Sequence, residues 1–249
     1  MLVGGDWYDL ILDDGRVLVT VGDVVGQGLA AATVMGQLRS ALRAALLGAA
    51  DPVEALEVVD RFAGALGPST FATVAVAELD PQAGSVTFCY AGHPPLVHIG
   101  RDGAARQADG GRSWPIGATS RAPRPRSVGR LELEPAEAVV LFTDGLFERR
   151  HESIDVGLER LRRAAEDHAT LPAAILSDAL LAASADAPAD GSEVRDDAVV
   201  IVARRVGSVP GRCYADVFPA EGVQLRDARR RFSDWRTPSI HTASTPVES

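Results

Sequence analysis

The apolar residues of this chain fall into runs of two periods, and the order of those runs limits the fold more than any single motif does. WYDLIL alternates, DDGR is a turn signal, and VLVTVGD completes a hairpin. After Gly28 the period changes. Ala31, Met35, Leu38, Leu42 and Ala45 recur three or four apart and form one stripe of a helix. Asp51-Pro52-Val53-Glu54 supplies a cap, a proline at the first helical position and an acid able to reach back. Leu56, Val59, Phe62 and Leu66 give that second helix its stripe. TFATVAVAEL, SVTFCYAG and PLVHI then read as an antiparallel meander, and RLEL and AVVLFTDG as two further strands. The segment 101–126, rich in Arg, Gly and Pro, reads as a surface loop held at Trp114-Pro115-Ile116-Gly117, with Trp114 as its anchor. Helices over 155–168 and 171–183 follow, then an acidic loop of small residues and a last strand, AVVIVARR.

Two helix pairs separated by consecutive strands predict an α+β fold: two stacked antiparallel sheets with a helix pair on each outer face, a four-layer αββα sandwich. A chain of 249 residues, 46% hydrophobic, has enough apolar surface for one such core and a further fragment. The composition shifts after Val206. Residues 1–206 are expected to form the main domain, 207–235 a linker with one strand and one amphipathic helix, and 236–249 a disordered polar tail.

Charge and cysteine content exclude several classes. The net charge of −9 disfavours nucleic-acid binding, which needs clustered positive charge. All 25 basic residues are Arg, a sign of a GC-rich genome in a chain so rich in Ala, Gly and Val. Cys89 and Cys213 carry no disulfide or zinc pattern. No apolar run reaches the ~20 residues of a membrane span, and MLVGGDWYD has no secretory pattern. A cytoplasmic protein without membrane partners is the expectation.

Acidic residues fall at strand ends. Asp6 opens the first strand, Asp23 ends the second, Asp144 ends VVLFTDG, and Asp196-Asp197 opens the last. Strand ends at one edge of stacked sheets can converge, and carboxylates gathered there repel unless cations neutralise them. Mg²⁺ and Mn²⁺ prefer such oxygen ligands. Glycines beside Asp6, Asp23 and Asp144 suit close approach of backbone and ion. Each Asp-Gly taken singly is also ordinary turn chemistry. A rival reading takes Gly26-Gln27-Gly28-Leu29-Ala30-Ala31 as a dinucleotide fingerprint with Asp51 downstream. It places the motif after one arm of a hairpin, with no parallel strand following promptly, and gives Asp23 no role.

GGDWYD, GDVVGQGLAAATVMGQLRSALR, FATVAVAELD, YAGHPPLV, PIG, LFTDGLFERR and DDAVVIV, in this order, resemble the SpoIIE/RsbU-type serine phosphatases. These are the bacterial branch of the metal-dependent PPM (phosphatase-2C-like) phosphatases. The resemblance spans about residues 3 to 205 and implies the αββα sandwich with two Mn²⁺ or Mg²⁺ ions in a cleft at one sheet edge. It implies that Asp23 bridges both ions, that Asp6 and the carbonyl of Val24 serve one, and that Asp144 and Asp196 serve the other. Asp197 is the second choice on that strand. Asp23 and Asp144 would be the catalytic pair, and a hydroxide activated by the two ions would hydrolyse phosphoserine or phosphothreonine without a phosphoenzyme. The implied substrate is a phosphorylated anti-sigma-factor antagonist of the STAS type, in a partner-switching pathway, and a homodimer is compatible with the resemblance. The alternative is a regulatory or binding module of the same fold, weakened by truncation.

The chain departs from the family in three places. Val25 stands where eukaryotic relatives carry a histidine, so no general acid is assigned. Gln27 replaces the histidine of GHG in many bacterial relatives. The family usually has a further segment before GGDxYD, so a missing strand and an exposed sheet edge are expected. His93 reads as a turn-packing residue, and His98 and His151 have no ligand-like spacing. Arg149-Arg150 either meets a phosphate or an acidic partner or is a solvated pair, and the basic segment 101–130 is either a docking patch or a flexible loop. FPAEGVQLRDARRRFSDW resembles the first strand and helix of an anti-sigma-factor histidine-kinase-like ATPase domain, without that domain's nucleotide-binding blocks.

Overall fold

The structure, a computed structural model, describes residues 5–49, 51–67, 70–118, 125–149, 152–185 and 198–206, with the backbone of 218–219. The opening hairpin pairs β1 (Trp7–Asp13) with β2 (Arg16–Val24) in the register Trp7↔Gly22 to Asp13↔Arg16. Its turn places Asp14 and Gly15 at φ 44° and 80°, the left-handed pair that a tight hairpin requires. Next come α1 (Gly28–Gly48) and α2 (Pro52–Leu66), the latter capped by Asp51 Oδ1, which accepts from the Val53 and Glu54 amides. β3 (Ala72–Asp80) and β4 (Ser85–Ala91) return to the first sheet. β5 (Val97–Ile99), β6 (Ala105–Gln107), β7 (Arg112–Ser113), β8 (Gly129–Glu132) and β9 (Ala138–Phe142) follow. α3 (Ile154–Asp167), α4 (Ala173–Ala185), β10 (Val199–Arg204) and the two-residue β11 (Phe218–Pro219) complete the order.

The first sheet runs β1-β2-β3-β4, with β7 and β8 both pairing β4; the second runs β11-β10-β9-β5-β6. All pairings are antiparallel except the short one between β4 and β7. The expected four-layer arrangement is therefore present. Period-two alternation divides the core into three apolar layers. Leu18, Val74 and Val76 pack with Leu38, Leu42, Leu56 and Val59 beneath the first helix pair. Val17, Val19, Val21, Ala75 and Ala77 face the other way and meet Val139, Leu141 and Ile201 between the sheets. Val97, Val140, Phe142 and Val200 close over Leu161, Leu176 and Leu180 of the second helix pair. Because both faces of the central strands are buried, their sequence reads as unbroken apolar runs.

Several expectations need correction. PLVHI does not continue the meander: β5 lies in the second sheet, between β9 and β6. Gly92, at φ 68°, and the two prolines after His93, which lack amide donors, end β4 and send the chain across. Tyr90 Oη accepts from the Leu96 amide at 3.1 Å and ties the crossover down. The segment 101–126 contains β6 and β7, and its anchor is Ile116, fully buried, whereas Trp114 is 53% exposed. On α2 the buried stripe is Ala55, Leu56, Val59 and Ala63, with Phe62 rotated outward; on α1 Leu46 is buried where Met35 and Ala45 are only partly so. The proposed helix after 220, the tail 236–249 and Cys213 lie outside the described residues. Among the described residues no helix is long and apolar enough to cross a membrane.

Leu56→Ala should lower stability in urea unfolding by about 2–5 kcal/mol, the usual result of emptying a closed core site. Phe62→Ala, although on the same helix, should cost about 1 kcal/mol or less.

Candidate metal centre

Asp23 sits one step before the end of β2, on the face that Val19 and Val21 turn toward the second sheet. Continuing the hairpin register one step past Trp7↔Gly22 sets Asp6 opposite Asp23, and one more step sets Gly5 opposite Val24. The Val24 amide donates to Gly5 O at 3.2 Å, which shows that the pairing persists there. Asp144 arrives from the other sheet at the head of a single 3-10 turn, Asp144–Leu146, directly after β9. The three carboxylates each offer an oxygen lying within 4.8 Å of the others, and all three residues are half-buried. The cluster thus occupies the mouth of the apolar layer between the sheets.

The backbone around it is tightly fixed. A Cβ on Gly5 would lie 2.4 Å from Val24 O and 2.6 Å from Asp23 Oδ1, so only glycine leaves room beside both oxygens. Gly22 lies flat on the Trp7 ring, where a Cβ would come within 2.4 Å of its carbons. Gly26 and Gly28 take φ values of 132° and 74°, so the two glycines of GQG turn the chain from strand into helix. Thr143, fully buried, accepts from the Val199 amide through Oγ1 at 2.9 Å and donates its own amide to Val199 O at 3.0 Å. The Asp144 carbonyl accepts from Phe147 and Glu148, and Gly157 of α3 presses so close to Phe147 O that a Cβ would sit 2.0 Å away. One carboxylate from each of three chain segments is held by structure that admits little movement.

This donor set fits hard divalent cations: three carboxylates and a carbonyl, all oxygen, with no sulfur or imidazole among them. Two charged carboxylates no more than 4.8 Å apart repel by at least about 3 kcal/mol at an effective dielectric constant of ~20, and a cation reverses that sign. Gly5 keeps the space beside the Val24 carbonyl and Asp23 Oδ1 clear of any side chain. Asp196 and Asp197 lie outside the described residues, as do Arg150 and His151.

The structure assigns the other singled-out residues structural partners. Arg149 is half-buried, and its Nη2 donates to the carbonyls of Ala183 and Ser184 near the end of α4, so it is not a freely solvated side chain. Arg126, in the basic segment, is buried against Asp60 and cannot belong to a docking patch. His98 Nε2 pairs with Glu137 Oε2 at 3.0 Å. Burial pushes the Glu137 carboxyl up, but the Glu134 amide, His98 and the Arg101 amide outweigh it and hold it below its ordinary value. His93 is buried with Nδ1 3.0 Å from Pro94 O, and burial lowers its pKa to about 4. Cys89 is buried and its thiol pushed up to about 11 by that burial, so it is no nucleophile at neutral pH. One contributor escaped the sequence reading: Asp9, buried and bound by Arg43 Nη1 at 2.7 Å, ties β1 to α1.

Residues 13–206 match the family model of Stage II sporulation protein E (SpoIIE). The chain belongs to the SpoIIE family. It is 31% identical to the crystal structure of the RsbU and RsbW domains of a Mycobacterium tuberculosis protein, with a TM-score of 0.72. That similarity covers 94% of this chain and 64% of the other, so the chain spans less than two thirds of that structure's length. The phosphatase-2C-like domain of SpoIIE from Bacillus subtilis shares the fold at 19% identity and TM-score 0.67, over 81% of this chain and 59% of that one. RsbX, solved in complex with magnesium, does so at 16% identity and TM-score 0.55, over 80% of this chain and 86% of the other. The family match therefore runs from the end of β1 through β10, and the carboxylate cluster lies at one end of the inter-sheet layer.

Three measurements follow from this geometry. Gly5→Ala should weaken Mn²⁺ binding in calorimetry by at least about tenfold. Gly36→Ala, at an open position on α1, should instead stabilise the fold by about 0.5–1 kcal/mol. For His93 the folded pKa lies below the ordinary value, so the unfolded chain binds more protons between the two. Its contribution to stability is complete above pH 6.5 and is lost as pH falls toward 4. The slope of unfolding free energy against pH in that window should shrink in His93→Gln.

Proposed function

We propose that the protein is a metal-dependent protein serine/threonine phosphatase that hydrolyses phosphoserine or phosphothreonine with two Mn²⁺ or Mg²⁺ ions. The convergence of Asp6, Asp23 and Asp144 from two sheets carries this reading. Membership in the SpoIIE family and the magnesium in the RsbX structure support it. Asp23 would serve both ions. Asp6 and Val24 would hold one, Asp144 the other. Asp196, with Asp197 as second choice, would join Asp144, because both precede β10 and the first residue of that strand is hydrogen-bonded to Thr143. When bound, the ions supply an acidified water and neutralise the phosphoryl oxygens.

The protein's own residues set position and charge. Gly5 keeps the backbone back from the Val24 oxygen, and Thr143 fixes the height of Asp144 against β10. His93 is held neutral and buried against Pro94, so it acts as packing rather than as a proton donor. No side chain of the described residues is assigned as general acid, so the leaving serine would take its proton from solvent. The substrate is a phosphorylated anti-sigma-factor antagonist of the STAS type in a cytoplasmic partner-switching system. The RsbU and RsbW domains joined in the Mycobacterium tuberculosis structure support that context. They also favour reading 207–235 as a linker and the start of an ATPase-like segment, after a phosphatase domain of 1–206.

Wild-type protein should release phosphate from a phosphoserine peptide with Mn²⁺ and stop when the metal is chelated. Asp144→Asn should lower kcat/KM by at least about 100-fold, more than the loss of an outer partner to a ligand. Equal rates in the two proteins would defeat the reading. A folded wild type that binds Mn²⁺ without turnover would favour a regulatory module.

A further inference from the structure

We propose that Asp60 and Arg126 are positioning residues for the metal-holding turn, a buried ion pair that fixes Ile116 against Ala72 and thereby sets where Asp23 and the Val24 carbonyl stand. The proposal rests on the phosphatase reading only in treating that turn as a cation site.

Arg126 comes after β7 and Asp60 from α2, and their side chains are 1% and 12% exposed. Arg126 Nε donates to Asp60 Oδ2 at 3.0 Å, and Nη2 donates to the same oxygen. Arg126 Nη1 donates to Ser113 Oγ at 2.7 Å and to Trp114 O at 2.9 Å. The other oxygen of Asp60 accepts from the Gly117 amide at 3.1 Å. One ion pair therefore grips the short segment 113–117 at both ends.

What lies between those ends faces the site's strand. The Ile116 amide donates to Ala72 O at 2.9 Å, and the Ala72 amide donates back to Ile116 O at 3.3 Å. Ala72 is the first residue of β3 and the register partner of Val24. The Val25 amide donates to Phe71 O at 3.0 Å. Gly117, at φ 85°, lies so close to Thr70 O that a Cβ would come within 1.9 Å. The path runs without a gap from the ion pair through Ile116 and Ala72 to the residues just after Asp23. An ion pair buried under a helix is a poor source of stability compared with apolar packing of similar volume. Its directional bonds to Ser113, Trp114 and Gly117, however, favour one placement of the segment it holds, which a methyl-to-methyl contact would not.

The test compares Arg126→Met and Asp60→Asn with Arg204→Met. Arg204 is a partly buried arginine that donates to the carbonyls of Ala136 and Ala169 in the other half of the molecule. Mn²⁺ affinity is read by calorimetry, the Val25 amide by hydrogen exchange in metal-free protein, and stability by melting temperature. Arg126→Met should raise the Mn²⁺ dissociation constant at least about tenfold and speed Val25 exchange. Asp60→Asn, which keeps an acceptor for Gly117, should fall between it and wild type. Arg204→Met should melt earlier with its Mn²⁺ affinity unchanged. If Arg126→Met fails to fold, Asp60→Asn carries the same readouts. Variants that melt earlier but keep wild-type Mn²⁺ affinity and Val25 protection would overturn the proposal. A wild type that binds no Mn²⁺ would sink the cation reading instead, and Val25 exchange would then decide the positioning claim.

Discussion

Carboxylates do not gather at the mouth of an apolar layer without being held there, and the pairing of β1 with β2 past Trp7 is what holds two of them. The register that sets Asp6 opposite Asp23 also sets Gly5 opposite Val24. Sliding one strand past the other by one residue would put Asp6 and Asp23 on opposite faces of the sheet. The apolar packing on both faces of β2 forbids that slip, because Leu18 and Val19 are each buried in a different layer. Core and site are specified by the same register, so neither can drift alone.

The second sheet contributes through a different device. Asp144 leads a single turn, and a lone turn has little rigidity of its own. It borrows rigidity from Thr143, locked to β10, and from Phe147, which meets Phe142 edge-on at 5.8 Å and lies under α3 at Gly157. Helix α3 thus helps set the geometry of Asp144 by pressing on the backbone beside it. α1 does the same for β1 through Arg43 and Asp9.

Much of this was legible in the sequence because it follows from period and punctuation. The helix pairs, the hairpin and the strand ends bearing Asp6, Asp23 and Asp144 all announce themselves through apolar spacing and adjacent glycines. The crossing of β5 was not legible. VHI is apolar on either reading, and only pairing with Val139 and Val140 tells which sheet receives it. Trp114 misled because size suggests burial, whereas the small loop could bury only Ile116 once Arg126 and Asp60 had occupied the space beneath. The Asp60–Arg126 pair joins residues 66 positions apart, a separation that no local pattern encodes.

Glu137 gives the molecule a direction. It sits at the start of β9, where one carboxylate takes donors from His98, Arg101 and Glu134 and is fully engaged within the chain. Asp144 sits at the other end of that strand, roughly 20 Å away by strand rise, among acids drawn together from both sheets. A single strand therefore joins a rim that has balanced its own charge to a rim that has concentrated it. An approaching cation therefore meets the concentrated negative charge at the mouth of the inter-sheet layer and not the engaged carboxylate at the far end of the strand.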